Sequence, residues 1–124
     1  MFSLHVDVLG YSWKVTVCTE AEEPRLEGFD GLTDQTCREI VIADRRDEAT
    51  VKDLMSCVMK TLRHELVHAF LYESGLGASW AHVESGHDEE MVDWMAYQMP
   101  KIMDAYNSIR LKVADRLNEE WNKQ

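Results

Sequence analysis

Near the start of the chain, apolar and polar positions alternate in two consecutive runs. Phe2, Leu4, Val6 and Val8 are interleaved with Ser3, His5 and Asp7; Trp13, Val15 and Val17 are interleaved with Lys14, Thr16 and Cys18. A period of two sends successive side chains to opposite faces, so each run predicts a half-buried strand. Leu9-Gly10-Tyr11-Ser12 lies between them and predicts a hairpin. On the first strand His5 falls on the polar, solvent-facing side. Residues 20–27 are acidic, contain a proline and read as a loop, and Gly28-Phe29-Asp30-Gly31 has the composition of a turn. A third strand is expected over 37–43, centred on Ile40-Val41-Ile42 and closed by Asp44-Arg45-Arg46-Asp47.

From residue 51 to 74 the period lengthens to that of a helix. Leu54, Met55, Val58, Met59, Leu62, Leu66, Ala69 and Phe70 fall in one broad apolar sector. Asp47 or Thr50 is placed to cap this helix, Thr50 with Asp53 three residues on as a variant capping box. Gly75 stands where a helix C-terminus often turns left-handed. A loop with Gly75, Gly77 and Gly86 leads to a second helical pattern from 88 or 89, with Val92, Met95, Ala96 and Met99 on its buried face. Pro100 predicts a break or kink, and a last helix fits 101–118 along Ile102, Tyr106, Ile109, Val113 and Leu117. The methionines, at helical spacing, read as core filler. The class expected is α+β in one domain, 1–124. It comprises a β-rich part at 1–46 with about three mostly antiparallel strands, a helix at 50–75 and a helical part at 88–120.

Within the central helix the chain reads Arg63-His64-Glu65-Leu66-Val67-His68, a His-Glu-x-x-His pattern. Positions i and i+4 share one side of a helix, so His64 and His68 can aim two imidazoles at one point, as two of the three protein ligands of an open zinc site. Both lie outside the apolar sector, beside Cys57 and Thr61, whereas a histidine satisfied in the core would sit inside it. Glu65, about 100° further round, is badly placed to share the metal but well placed to reach water beside it. Metal-assisted hydrolysis with Glu65 as general base is the chemistry this suggests.

A third ligand must come from elsewhere. An extended pattern with a further histidine would require glycine at Leu71 and histidine at Ser74, and has neither. The candidates that remain are His82, Glu84, His87, Asp88, Glu89, Glu90 and Asp93. Glu89 is preferred because Asp93 follows four residues later on the same helical face. Glu89 can then bind the ion while Asp93 accepts a hydrogen bond from a ligating histidine and fixes its tautomer. Asp88 and Glu90 are better read as complements to a helix N-terminal dipole. Tyr72, one turn beyond His68, and His82 or His87 in the glycine-containing loop are candidates to stabilise an oxyanion.

Composition narrows the partners. With 23 acidic and 13 basic residues the formal net charge is −10, which disfavours nucleic acid and anionic membranes. Arg38, Arg45 and Arg46 are the only local concentration of positive charge, read as a solvated loop. The cysteines, Cys18, Cys37 and Cys57, are odd in number and lack C-x-x-C spacing, as expected of reduced thiols in a cytoplasmic protein. No signal peptide or transmembrane run is evident.

His64-Glu65-Leu66-Val67-His68, followed by Glu89-x-x-Val92-Asp93-x-Met95-Ala96 and Met99-Pro100, resembles the ImmA/IrrE group of phage and bacterial metallopeptidases, which are zincins with a glutamate as third ligand. The likeness spans roughly 37–100. Val67 stands where that group usually has glycine, and Val92 and Met95 replace alanine and phenylalanine. The resemblance implies a minimal zincin-like domain of phage or prophage origin. It implies one Zn²⁺ held by His64, His68 and Glu89, Glu65 as catalytic base, and a protein or peptide substrate; two imidazoles and a carboxylate favour zinc but would also accept manganese, cobalt or iron. It also implies that an edge strand, expected at 37–43, holds that substrate by strand addition. A non-catalytic zincin-fold binding module and a hydrolase of a non-peptide substrate are the competing expectations.

Overall fold

A computed structural model describes residues 1–48, 52–76 and 89–123. Strands β1 (Phe2–Val8) and β2 (Tyr11–Cys18) pair antiparallel from Phe2 opposite Val17 to Val8 opposite Tyr11. Leu9 and Gly10 join them with φ of 52° and 91°. Positive φ at both central residues is what a two-residue hairpin turn needs to match strand twist. The alternation expected of these strands is present: Phe2, Val6, Val8, Trp13, Val15 and Val17 are buried in one cluster, and His5 is exposed.

Among the described residues the sheet has four strands where about three were expected, in the order β1-β2-β4-β3, and the class is α+β as expected. After a single 3-10 turn, Pro24–Leu26, which buries Leu26, the chain forms a short strand β3 (Gly31–Asp34) where only turn composition was recognised. It then folds back as β4 (Glu39–Ala43), parallel to β2 and antiparallel to β3. The expected edge position of 37–43 is therefore wrong: β4 is interior and β3 forms the edge. The physical reason is in the residues. Ile40 and Ile42 face the main core, whereas Val41 and Ala43 pack with Cys18 and Leu26 on the opposite face. A strand apolar on both faces belongs inside a sheet.

Helix α1 (Leu54–Glu73) begins later than expected, with Asp53 rather than Asp47 or Thr50 as its cap; Thr50 lies outside the described residues. The Asp53 carboxylate accepts from the Ser56 amide at 3.0 Å, satisfying a donor that has no partner within the helix. At the other end Ser74 closes the last turn and Gly75 takes φ of 83°. Val58, Leu62, Leu66, Ala69 and Phe70 are buried against the sheet, as their spacing requires.

A second long helix, α2 (Glu89–Asn122), runs unbroken through Pro100, so the two separate helices expected here are one. Proline removes one backbone donor and crowds the preceding turn, yet Pro100 and the neighbouring Met99 and Lys101 are exposed, and the carbonyl left over can face water. Ala105, Ile109, Val113 and Leu117 are buried, with Ile102 and Tyr106 packed beside them. Met95 and Met99 are not core filler: they are 45% and 56% exposed. Among the described residues no helix is long and apolar enough to cross a membrane.

Candidate metal centre

The part of α1 that carries the motif lies across the edge of the sheet, with β3 on one flank. His64 is exposed and His68 partly so, with ring centroids 5.0 Å apart and planes inclined at 67°. Glu65 is buried, at 6% exposure. One ligating atom from each of the three residues lies within 4.8 Å of the other two. Two borderline-soft nitrogen donors beside a carboxylate suit zinc. The residues present fit an ion.

The surroundings divide the roles. Glu65 accepts a hydrogen bond at Oε1 from the Thr33 hydroxyl on β3, at 2.8 Å. The cleft is about 360 Å³, lined by Phe29, Asp30, Gly31, Cys57, Thr61, His64 and Glu65 among others. Its β3 wall is clamped from both ends. Arg45 donates to the Phe29 carbonyl at 2.7 Å and pairs with Asp30, and Arg25 bridges Asp34 and Glu39 at the far end. Arg25 donates to the Glu23, Glu39 and Asp34 carboxylates, and its pKa is raised above the usual arginine value chiefly by the hydrogen bonds it donates to Glu23 and then Glu39. These are surface ion pairs of small individual worth, and their use here is to fix the strand.

The arginines read as a solvated cluster are thus each paired. Arg45 meets Asp30 and Glu48, Arg46 meets Asp44, and Arg38 meets Glu73. They make no basic patch. The Glu73 carboxylate also accepts from the Trp13 indole at 2.8 Å, tying the end of α1 to β2.

Of the residues singled out in the sequence, His64, Glu65 and His68 are brought together. Tyr72 is exposed one turn beyond His68 on the same helix. His82 and His87 lie outside the described residues, as do the side chains of Glu89 and Asp93, although both of the latter belong to the first turns of α2. Two bonds tie α2 to α1: Arg63 donates to the Tyr106 hydroxyl at 2.8 Å, and the Trp94 indole donates to Ser74 Oγ at 3.1 Å. Positions rising along α1 meet positions falling along α2, so the helices run antiparallel. Trp94, five residues past Glu89, is held beside Ser74, six residues past His68.

Thr33 and Gly31 are the site residues that sequence reasoning missed. Thr-Asp after Gly-Leu carries no apolar alternation by which a strand could be recognised, and only the pairing with β4 makes it one. Compared with known protein families, curated proteins and solved structures, the chain matches none.

Proposed function

We propose that this chain is a zinc-dependent metallopeptidase. The observation that supports the reading most is the gathering of the His64, Glu65 and His68 ligating atoms within 4.8 Å at an open cleft beside a sheet edge. A structural zinc site would be closed by four protein ligands, whereas two histidines from one helix at a solvent-open cleft leave room for water and substrate. His64 and His68 would hold the ion, with Glu89 the proposed third ligand and Asp93 its supporting carboxylate. A zinc ion held there supplies Lewis acidity to water and to the scissile carbonyl.

The chain's own residues supply the proton transfers. Glu65, anchored through Oε1, takes a proton from the attacking water at its other oxygen as the new carbon–oxygen bond forms. It then delivers that proton to the departing amine nitrogen as the carbon–nitrogen bond breaks, and returns to the carboxylate. The substrate would lie along β3, whose outer side pairs with no other strand among the described residues; backbone pairing of that kind selects extended peptide over other polymers. With a net charge of −10, nucleic acid is the disfavoured alternative. The test is Glu65→Gln, which keeps the shape and removes the base. Hydrolysis should fall about 10²–10⁴-fold while zinc content stays at the wild-type level. Full activity in that variant would remove Glu65 from the mechanism.

A further inference from the structure

We infer that Thr33 is a positioning residue for Glu65: the edge strand, and not only the helix, sets where the proposed base points. The inference rests on the peptidase reading for its consequence in catalysis, but its geometry stands apart from any ion.

Three observations converge. Glu65 is buried, and a buried carboxylate needs a partner because leaving one unmet costs more than an ordinary hydrogen bond gains. The Thr33 hydroxyl is that partner, 2.8 Å from Oε1, with the Glu65 carbonyl a longer alternative at 3.3 Å. A hydrogen bond of this length is directional, so it fixes the carboxylate rotamer as well as its location. The third observation is Gly31, two residues earlier and therefore on the same face of β3. A Cβ built there would stand 2.6 Å from Thr61 Cγ2, 3.0 Å from the Val41 carbonyl oxygen and 3.2 Å from Glu65 Cγ. Only glycine lets the strand come this close to α1, and without that approach Thr33 could not reach Glu65. Leu32, between them, points the other way and packs with Cys18, Leu26 and Val41, which sets the register that turns positions 31 and 33 toward the helix.

The same strand thus performs two tasks. One edge pairs with β4, and the residues facing α1 orient the base, while the outer edge pairs with no strand among the described residues. Fixing one carboxylate oxygen directs the other into the cleft.

The experiment compares Thr33→Val, which keeps the shape and removes the donor, with Thr33→Ser, which restores a hydroxyl; Thr33→Ala stands in should the valine variant fail to fold. In metal-free full-length chain, ¹³C NMR of labelled glutamate carboxyl groups, with Glu65 assigned by its loss in Glu65→Gln, reads the hydrogen bond directly. The Glu65 resonance should move toward that of an unpartnered carboxylate in Thr33→Val and stay near wild type in Thr33→Ser. With zinc added and fluorescein-labelled casein as substrate, kcat should fall about tenfold or more in Thr33→Val, with apparent KM and zinc affinity kept and rescue by serine. An unmoved Glu65 resonance in a folded Thr33→Val chain overturns the inference. So does casein hydrolysis at the wild-type rate in that variant, which leaves the peptidase reading standing. A resonance that moves in a chain whose wild type cleaves nothing upholds the positioning and sinks the peptidase.

Discussion

On the side of α1 that faces the sheet, Val58, Leu62, Leu66, Ala69 and Phe70 are each no more than 1% exposed. A step round the same helix, His64 is exposed, His68 is partly so, and Thr61 and Glu65 abut a strand that carries a glycine and a threonine. The first face is built from interchangeable apolar volume, and any well-fitting set of side chains would serve it. The second is built from donor atoms whose directions matter and whose burial costs stability unless each is partnered. The contrast teaches that the helix is held by one side and used on the other. Stability and chemistry should then come apart when either side is altered alone.

The largest effect expected is on the chemical side. Glu65→Gln should cost about 10²–10⁴-fold in turnover and leave thermal unfolding close to wild type, as measured by peptide hydrolysis beside a melting curve. If the melting temperature collapses, Glu65 belongs to the packing and the division of faces fails. On the other side, Leu66→Ala should lower unfolding free energy by about 2–5 kcal/mol in a urea titration, while the zinc affinity of the folded fraction is unchanged.

Glu89, the proposed third ligand, sharpens the comparison further, because it belongs to α2 and not to α1. Glu89→Ala should weaken zinc binding by at least the 10–100-fold typical of a lost supporting carboxylate, read by competition with a chelator. Trp94→Phe removes the bond to Ser74 that ties the first turns of α2 to the end of α1, and should weaken zinc less than Glu89→Ala does. Equal affinity in wild type and Glu89→Ala would send the search for the third ligand elsewhere. Smallest of all is the helix cap: Asp53→Ala should cost about 1 kcal/mol of stability, spread over both faces alike.

How far the sequence foretold this structure follows from which side of each element is apolar. β1, β2 and the sheet side of α1 were legible because burial on one face imposes a period that residue types record. The α2 stripe of Ile109, Val113 and Leu117 was legible for the same reason. β3 was not, since Gly31 and Thr33 face a helix through close contact and a hydrogen bond, neither of which leaves a hydrophobic signature. The interior place of β4 could have been read from its unbroken Ile-Val-Ile-Ala run, which serves two apolar faces. Pro100 misled because its local cost to a helix is real, yet α2 is anchored on both sides of it, by Trp94 to Ser74 and by Tyr106 to Arg63. At the site, helical periodicity alone brings His64 and His68 together. The partner of Glu65 depends on chain reversal some thirty residues upstream, which no local pattern encodes.

The most direct test of the account is the zinc stoichiometry of the purified full-length chain, measured by elemental analysis and titration for wild type, His64→Ala and His68→Ala. One ion per chain in wild type, lost in both variants with little change in melting temperature of the metal-free proteins, is the predicted result. A wild-type chain that binds no transition metal, or one whose binding survives both substitutions, would contradict it.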